Sequence, residues 1–483
     1  MASYSWYRLN WFLSIGMQIY YIPAFYYCTM NLSQYLDFVP TNDQANALKA
    51  ISHFIKEENT EDFFVLLGYA GTGKTTITKA ITSSLVDSNI DFSLNAPTGT
   101  AAKIIRNKTG QCAGTIHSRI YTVDKEHNGD GVNLLNRFNF NEEFTIFIVD
   151  EASMLSDWRN DDNSFMTPNS LMEDFVSFVK QGNKSNKVIF IGDDFQLTPF
   201  ANGEQKNFSP ALSKNYITKK FGWTGSMAKL EEVKRQAEDS IILNLASNIR
   251  NLKSFKTSRE IGIPTLEHGR TKSYTQAINN YRSNFEKGNL HNQIIINKSN
   301  NSVDWFNKVI RERLNLSSNL LSVNDFVVLQ RNWMSNDGQL FLKGEMALVT
   351  AVSRPSDSYG GQQFVFADLE FIDLDGCVRK ATSRILFDSL NTHHGILSKE
   401  KEQELVAHAN KYNAKYRESK NIFDDEYLGA MRLRHAFAIT CHKAQGGEWD
   451  NVFVEPSTSR NFDPRWLYTA VTRARQEVLT WAA

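Results

Sequence analysis

The sequence predicts an α/β fold with two parallel sheets, each flanked by helices, and a smaller antiparallel insert. Short apolar runs alternate with helical stretches in the first half of the chain, and this alternation is typical of parallel strands covered by helices. Similar runs near the C-terminus predict a second sheet of the same kind. A stretch at 325–382 contains β-rich runs without the alternating helical stretches of the other two sets, and it predicts an insert.

The two sets of apolar runs define the two predicted sheets. The runs of the first sheet are 63–67, 90–94, 146–149 and 188–191. The runs of the second sheet are 293–296, 436–439, 452–454 and 478–481. We therefore expect a first lobe at 30–228 and a second lobe made of 229–320 together with 431–483.

Residues 321–430 are expected to form an insert within the second lobe. Strand-like runs at 326–329, 346–350 and 364–372, with an Asp375-Gly376 turn signal, favour a small antiparallel, SH3-like barrel. Residues 398–418 are charged and helical, and we interpret them as a helix with a solvated face.

Composition restricts the functions that the chain can have. The 483 residues are enough for roughly two to four domains. The formal net charge is zero, so a nucleic-acid site would need local positive charge in a groove. The four cysteines lie far apart, which argues against a disulfide framework or a zinc site and favours a reducing, cytoplasmic compartment.

The N-terminal segment has an unusual composition. Residues 1–29 contain ten aromatic side chains but a single charge, Arg8, and Gln18 and Pro23 interrupt the apolar run. A membrane anchor would have a basic start and a cleaner apolar stretch. We interpret 1–29 as an extension outside the core and expect no stable membrane partner, with a membrane-associating segment as the alternative.

A phosphate-binding loop is predicted at 68–75. The sequence GYAGTGKT matches G-x-x-x-x-G-K-[ST], follows the run 63–67 and precedes a helical stretch at 76–85. Glycines let backbone N–H groups approach phosphate oxygens, and the helix N-terminus adds positive potential. Lys74 is expected to reach the β and γ phosphates and Thr75 to ligate Mg²⁺. The expected ATP contacts in this loop are Gly71, Thr72, Gly73, Lys74, Thr75 and Thr76.

Two further strand ends carry polar side chains suited to hydrolysis. Asp150 and Glu151 follow an apolar strand, so that Asp150 is expected to ligate Mg²⁺ and Glu151 to act as general base. Gln196 follows the run 188–191 and could sense the γ phosphate and the attacking water, although a plain helix-capping turn is the alternative.

Eight segments in order resemble the motifs of superfamily 1 helicases. They are TNDQ at 41–44 (Q motif), NAPTGTAA at 95–102 (Ia), TIH at 115–117 (Ib), DEASM at 150–154 (II), GDDFQLTP at 192–199 (III), EVKRQ at 232–236 (IV), ITCHKAQGGE at 439–448 (V) and WLYTAVTRA at 466–474 (VI). The match covers about nine-tenths of the chain. The motif sequences are most similar to those of branch 1B and, within that branch, to those of bacteriophage Dda-type helicases.

This resemblance implies two RecA-like lobes with ATP and Mg²⁺ in the cleft between them. From lobe one it implies an adenine contact by Gln44. From lobe two it implies Arg235 and Arg473 as γ-phosphate cations and Glu448 as a ribose contact. An arginine from a facing lobe can stabilise the charge of the phosphoryl transition state, and it makes hydrolysis depend on lobe closure.

The same motifs imply a track for single-stranded DNA across both lobes. The candidates are Pro97, Thr98, His117, Asn297, Thr440, His442 and Lys443. Small hydroxyl, amide and imidazole groups suit phosphate contacts that do not read sequence, although each residue alone could be a surface or capping residue.

A β-hairpin is predicted at 118–143, with two extended arms around an N-G-D-G turn at 128–131. In Dda-type helicases the matching insert is the pin that separates the duplex. Phe138 or Phe140 on it could stack against the last base pair. A surface loop whose aromatic side chains pack onto lobe one is the alternative.

The leading hypothesis is a 5′→3′ DNA helicase of replication, recombination or repair, acting in the host cytoplasm if phage-encoded. Its expected partners are single-stranded DNA and single-strand/duplex junctions, with a single-strand-binding protein as a further candidate. The alternatives are a nucleic-acid-stimulated ATPase that remodels protein–DNA or RNA complexes, and a GTPase or nucleotide kinase. The sequence NKSN at 297–300 lacks the final Asp of a guanine-reading N-K-x-D.

Overall fold

The computed structural model describes most of residues 31–483. The ranges left out are 124–131, 160–164, 202–203, 233–239, 252–264, 267–291, 317–320, 336, 354–356, 373–377, 393–396, 455–462 and 482–483. The predicted extension at 1–29 and the predicted phosphate contact Arg235 therefore lie outside the described residues.

In the part of the chain that the structure describes, lobe 1 is built on a six-stranded sheet whose neighbouring strands are all parallel. From edge to edge its strands are Gly225–Leu230, Phe63–Gly68, Lys187–Gly192, Thr145–Val149, Asp91–Ala96 and Ala113–Thr115. The central strand Phe63–Gly68 is buried along its whole length, as expected where helices cover both faces of a parallel sheet.

Five of the six helices described in lobe 1 start with a side-chain cap, and the exception is Lys74–Asp87, which follows Gly73. In the first helix, the Thr41 hydroxyl accepts from the Gln44 backbone N–H and the Gln44 side chain accepts from the Thr41 N–H, which is a capping box. The helices described in this lobe are Asn42–Ile55, Lys74–Asp87, Gly99–Thr109, Ile116–Ile120, Leu171–Gly182 and Lys214–Phe221, with 3-10 turns at Leu32–Tyr35, Ala152–Met154 and Pro210–Leu212.

All four strands predicted for the first sheet are confirmed. The prediction missed both edge strands, Gly225–Leu230 and Ala113–Thr115. Neither edge strand contains a continuous apolar run, because an edge strand has fewer neighbours to bury its side chains.

Lobe 2 contains a second sheet, and its described strands are also parallel. In spatial order they are Thr265–Leu266, Ala474–Trp481, Trp449–Val454, Gln293–Asn297 and Ala438–Thr440. Its described helices are Ile241–Asn251, Asn300–Arg313, Cys441–Ala444 and Pro464–Val471. The core of this lobe joins helix residues such as Leu245 and Leu467 to strand residues such as Ile296 and Val454.

The insert contains an antiparallel sheet with a core of its own. Its described strands are Phe326–Leu329, Met346–Val352, Asp357–Tyr359, Gln362–Ile372, Val378–Leu386 and Leu433–His435, with a small ladder of Trp333–Met334 and Leu340–Phe341. Leu433–His435 pairs with Phe326–Leu329. The sheet therefore extends past residue 430, where the sequence analysis ended the insert.

Helices and short turns complete the insert. They are the helices Lys399–Tyr412 and Ala414–Ser419 and the 3-10 turns Phe387–Asn391 and Ile422–Asp424. The longer helix buries Leu405 and Ala409 and leaves most of its charged side chains exposed. No helix in the described part of the chain is long and apolar enough to span a membrane.

Candidate nucleotide and nucleic-acid sites

Three predicted site segments meet at one edge of the lobe 1 sheet. The strands Phe63–Gly68, Lys187–Gly192 and Thr145–Val149 are adjacent and parallel, so their carboxyl ends share an edge. The phosphate loop follows the first strand, Gln196 follows the second, and the Asp150-Glu151 pair follows the third. Segments far apart in sequence thus form one site.

The backbone of the phosphate loop takes conformations that favour glycine. Gly71 and Gly73 have φ angles of 80° and 90°, in the left-handed region that L side chains rarely adopt. The helix Lys74–Asp87 begins directly after Gly73, and Thr75 and Thr76 lie half-buried in its first turn. The unpaired N–H groups of a first helical turn are suited to bind an anion, so this geometry fits the predicted phosphate site.

Lys74 and Gln44 both contact this loop directly. The Lys74 Nζ donates to the carbonyl oxygens of Gly68, at 2.6 Å, and Tyr69, at 3.0 Å. The buried Gln44 side chain donates from Nε2 to the Thr72 carbonyl oxygen at 2.9 Å. The two predicted nucleotide contacts therefore lie at the loop, and each already stabilises its shape.

The Asp150-Glu151 pair concentrates negative charge at the end of its strand. Burial, followed by the neighbouring Glu151 carboxylate, raises the pKa of Asp150 to about 7, and the Lys74 ammonium acts in the opposite direction. A divalent cation stabilises such a pair of carboxylates. The donor set of Asp150 and the Thr75 hydroxyl therefore fits a magnesium ion that also binds phosphate.

Two buried oxygens at this edge remain available for a ligand. The Oε2 of Glu151 and the Oε1 of Gln196 have no hydrogen-bond partner among the residues that the structure describes. Glu151 also has a φ of 51°, in the left-handed region, a strained conformation for a residue with a side chain. Strain and unsatisfied polar atoms cluster at functional sites, so both side chains fit roles toward an attacking water.

Lobe 2 contacts the phosphate loop at three consecutive residues. The Arg250 guanidinium lies 3.6 Å from the centroid of the Tyr69 ring. The Ala70 N–H donates to the Tyr468 hydroxyl at 2.8 Å. At the third residue, a Cβ added to Gly71 would lie 2.7 Å from a methyl carbon of Leu243. The first half of the loop is thus packed against lobe 2.

The segment after Gln196 forms a second contact between the lobes. The Leu197 N–H donates to the Thr469 hydroxyl at 2.9 Å, and the Leu197 carbonyl accepts from the Gln445 side chain at 3.1 Å. Motif III of lobe 1 is therefore hydrogen-bonded to motifs V and VI of lobe 2.

Glu448 and Arg473 lie on the lobe 2 side of this interface. Glu448, the predicted ribose contact, forms a 2.8 Å ion pair with Lys108 of lobe 1. Burial opposes ionisation of Glu448, but the Lys108 ammonium holds its pKa below the usual value. The buried Arg473 guanidinium donates to the carbonyl oxygens of Thr469 and Gly447 at 3.0 and 3.3 Å. Both predicted contacts are thus held by protein partners.

The lobe 1 candidates for DNA contact follow two neighbouring strands. Pro97 and Thr98 come after Asp91–Ala96, and the Thr98 hydroxyl caps the next helix by accepting from the Ala101 N–H at 3.2 Å. His117 reaches solvent, yet the protein atoms crowded around it, and then the Lys343 ammonium, lower its pKa. A neutral imidazole can donate a hydrogen bond to phosphate without forming an ion pair.

The lobe 2 candidates are adjacent as well. Asn297 and Thr440 are paired at the ends of two parallel strands. Thr440 precedes the short helix that carries His442 and Lys443. The Lys443 Nζ donates to the Gln330 side chain at 3.2 Å. The Lys443 side chain reaches solvent, yet the protein atoms crowded around it lower the pKa of its ammonium. A guanine-reading segment would lie on the same sheet as the phosphate loop. Asn297 ends a strand of the lobe 2 sheet, whereas the phosphate loop follows a strand of the lobe 1 sheet. Residues 297–300 therefore do not match that arrangement.

Lys343 of the insert is a residue that the sequence analysis missed. Its charge lowers the pKa of His117 in lobe 1 and, after local burial and Arg434, the pKa of Lys443 in lobe 2. One insert lysine thus acts electrostatically on a candidate residue in each half of the predicted DNA track. No motif covers the insert, so only the folded arrangement identifies Lys343.

The insert loop, residues 341–345, is seated on the motif Ia helix of lobe 1. A Cβ added to Gly99 would lie 2.6 Å from the Leu342 Cβ and 3.1 Å from the Lys343 carbonyl oxygen. Beside this contact, the largely buried Lys103 of lobe 1 lies 3.9 Å from the Glu345 carboxylate. The loop therefore holds Lys343 at a fixed place beside lobe 1.

The two predicted hairpin arms pair, but the aromatic candidates lie beyond them. Tyr121–Val123 is antiparallel to Val132–Asn136, and the turn at 128–131 lies outside the described residues. Phe138 and Phe140 follow the second strand, Val132–Asn136, at the base of the hairpin. Their rings are 4.8 Å apart and 54% and 83% exposed, and their role as wedge residues stays a prediction.

Comparison with known families identifies both halves of the motif series. Residues 41–254 match the family described as an AAA domain. Residues 435–479 match the UvrD-like helicase C-terminal domain. The first range contains the Q motif through motif IV, and the second contains motifs V and VI.

Several curated proteins are similar over most of the chain. The ATP-dependent DNA helicase dda of Enterobacteria phage T4 is 24% identical over 91% of this chain and 98% of its own length. The ATP-dependent RecD2 DNA helicase of Deinococcus radiodurans is 24% identical over 85% of this chain. The uncharacterized protein MJ1519 of Methanocaldococcus jannaschii is 26% identical over 86%. The chain spans 46% and 36% of these last two proteins.

Solved structures of Pif1 helicases also align with the chain. Those from Bacteroides and Candida albicans are 18% and 15% identical, each with a TM-score of 0.48 over 92% of this chain. The ordered motifs, the two family matches and the relatives of similar sequence agree with one another. Over most of its length the chain is similar to superfamily 1B helicases of the Dda-like group.

Proposed function

We propose that this chain is an ATP-driven DNA helicase that moves 5′→3′ on single-stranded DNA and unwinds duplex in replication, recombination or repair. The observation that supports this most directly is the contact between Tyr468, on the motif VI helix of lobe 2, and Ala70 in the phosphate loop of lobe 1. A hydrolysis site shared by two lobes couples chemistry to their relative motion.

In this proposal the side chains at the lobe interface divide the work of hydrolysis. Glu151 takes a proton from the attacking water and Gln196 orients that water. Arg235 and Arg473 stabilise the negative charge of the transferring phosphoryl group. Magnesium, held by Thr75 and Asp150, would neutralise charge on the phosphate oxygens. The residues proposed to bind ATP are Gln44, Gly71, Thr72, Gly73, Lys74, Thr75, Thr76 and Glu448.

The proposed DNA track crosses both lobes. Its residues are Pro97, Thr98, His117, Asn297, Thr440, His442 and Lys443, joined by Lys343 of the insert. Hydroxyl, amide and ammonium groups on these side chains would contact the DNA backbone and would not distinguish between bases. The proposed partners are single-stranded DNA, single-strand/duplex junctions and a single-strand-binding protein, and the proposed compartment is the cytoplasm, of the host if the chain is phage-encoded.

The direct test is ATP turnover with and without single-stranded DNA, followed by unwinding of duplexes with 5′ or 3′ tails. We expect DNA to stimulate turnover and only the 5′-tailed duplex to be unwound. Unwinding of the 3′-tailed duplex alone would overturn the polarity and leave the two-lobe motor in place. Turnover that ignores DNA would overturn the motor as well.

One observation favours the second candidate, an ATPase that remodels protein–DNA or RNA complexes without processive unwinding. Phe138 and Phe140 lie at the base of the hairpin, whereas a wedge acts at the point where the duplex opens. Stimulated turnover without strand displacement, together with removal of a protein bound to DNA, would favour this candidate.

Replacing Phe138 and Phe140 together with Ala is expected to reduce unwinding of a 5′-tailed duplex far more than DNA-stimulated turnover. The exposed pair can replace the stacking that the last base pair loses, which contributes about 1–3 kcal/mol per base. The measurement is strand displacement and ATPase on the same DNA, with Phe423→Ala, an exposed insert aromatic, as control. Normal unwinding by the double variant would show that the pair is not a wedge.

The affinity for single-stranded DNA is expected to fall as salt rises, with a log–log slope of about −0.7 for each phosphate contact. Lys443→Ala should make this slope shallower by about 0.7, because one ammonium no longer displaces a counterion. Binding should be nearly independent of sequence. The exposed Lys401 on the insert helix provides the control, Lys401→Ala, whose slope should equal that of wild type. Equal slopes for both variants would remove Lys443 from the track.

A further inference from the structure

We propose that the Tyr468 hydroxyl is a positioning group that couples closure of the lobes to the shape of the phosphate loop. This inference rests on the proposed function and adds to it a residue that none of the expected ATP contacts includes. Tyr468 forms hydrogen bonds with Ala70 and Asp193, and in this way it stabilises the conformation of the phosphate loop. Other side chains contact the nucleotide.

The hydroxyl stands in the middle of a three-group chain that crosses the interface. It accepts from the Ala70 N–H at 2.8 Å and donates to the Asp193 Oδ2 at 2.7 Å. Ala70 belongs to the phosphate loop and Asp193 to motif III, whereas Tyr468 belongs to motif VI. Linked hydrogen bonds in a buried setting strengthen one another, so one oxygen ties three motifs together.

The surroundings of Tyr468 fix both its position and its protonation. The side chain is buried, and its ring makes an edge contact with Phe195 at 5.1 Å between centroids. Burial and then the Asp193 carboxylate raise the pKa of Tyr468 well above the usual value. The hydroxyl therefore keeps its proton and remains a donor to Asp193.

Asp193 connects this chain to the catalytic edge of lobe 1. Burial raises the pKa of Asp193, and the Lys74 ammonium opposes that rise more than any other group does. The Asp193 Oδ1 accepts from the Phe195 N–H at 2.9 Å, which holds the turn leading to Gln196. A displacement of Tyr468 would therefore disturb the electrostatic interaction between Asp193 and Lys74 and also the turn that carries Gln196.

The contact can exist only when the lobes are close together. Tyr468 and Ala70 are 398 positions apart in the chain. Tyr468 belongs to the core of lobe 2, and Ala70 packs against that core from the phosphate loop of lobe 1. Separation of the lobes breaks both bonds and leaves a loop N–H and a buried carboxylate without this partner. DNA that draws the lobes together would restore the bonds, so the hydroxyl should contribute to stimulated turnover above all.

The test is Tyr468→Phe, which keeps the ring and its contact with Phe195 but removes the hydroxyl. We expect DNA-stimulated kcat to fall about ten-fold, as for one buried hydrogen-bonding group left unsatisfied. The KM for ATP should change less than about two-fold, since the groups proposed to bind ATP are retained. The melting temperature, measured in parallel, shows whether the variant is folded.

Tyr359→Phe is the matched control. Its hydroxyl makes a similar bond, 2.8 Å from the Asp425 Oδ2, within the insert, so removing it tests the general cost of losing a Tyr–Asp pair. We expect wild-type stimulation from this variant. A Tyr468→Phe protein with wild-type stimulated kcat, or one whose kcat, KM and melting temperature all deteriorate together, would overturn the proposal.

A double-variant cycle with Asp193→Asn separates the chain from independent effects. Groups that act as a unit give non-additive losses, so the double variant should be no slower than the slower single variant. Additive losses would overturn the coupling. A wild-type protein whose turnover ignores DNA would overturn the proposed function itself, whereas failure of the cycle alone leaves that function standing.

Discussion

Glu151→Gln is expected to hydrolyse ATP at least about a hundred-fold more slowly than wild type, the usual range for a lost general base. Glutamine has nearly the same shape as glutamate, so the turn at Ala152–Met154 should persist. Nucleotide and Mg²⁺ should still bind, because Asp150 and the phosphate loop are unchanged. Single-turnover hydrolysis and ATP affinity, measured on the same preparation, separate chemistry from binding.

Glu143→Gln is the natural control for this substitution. Glu143 is exposed and precedes the same strand, Thr145–Val149, at its other end, so its change should leave turnover unaltered. If Glu151→Gln lost its affinity for nucleotide while turnover per bound ATP survived, Glu151 would be a structural residue. The search for a base would then have to move to another side chain.

Lys74→Ala is expected to abolish measurable ATP hydrolysis and to leave the fold intact. The ammonium is the one cation of the phosphate loop, and its loss removes the charge that positions the β and γ phosphates. In the structure its hydrogen bonds are to two loop carbonyls, so its removal costs local order and little of the core. Steady-state turnover and thermal unfolding together measure the two effects.

Lys79→Ala provides the comparison for this variant. Lys79 is exposed on the same helix, five positions further along, and its removal alters the same kind of charge outside the loop. We expect that variant to hydrolyse ATP at the wild-type rate. Hydrolysis by Lys74→Ala at that same rate would refute the assignment of the phosphate loop.

The parts that could be predicted from the sequence are those fixed by local patterns. The phosphate loop depends on glycines at positions where the backbone takes positive φ, and those glycines are visible in the sequence. Gln44 could be assigned to the nucleotide site because TNDQ at 41–44 resembles the Q motif, whereas its capping box with Thr41 is seen in the structure. Buried parallel strands produce apolar runs, which is why the four internal strands of lobe 1 were found.

The parts that could not be predicted depend on contacts between distant segments. Nothing around Tyr468 indicates that its hydroxyl meets Ala70, because that contact requires two folded lobes. Lys343 has no motif around it, and its place beside His117 depends on how the insert loop is seated. The strand Leu433–His435 belongs to the insert sheet through its partner Phe326–Leu329, whereas the sequence pattern assigned residues 431–483 to lobe 2.

Gly99 limits how the insert can be placed on lobe 1. Its missing side chain is the space that Leu342 occupies, and the distance of 2.6 Å to an added Cβ is shorter than real contacts between such atoms. Any larger residue at this position must push the insert outward. The distance between the insert and lobe 1 is therefore limited by the absence of a single methyl group at Gly99. A substitution there, far from the nucleotide, could change the affinity for a bound DNA strand while leaving ATP hydrolysis unchanged.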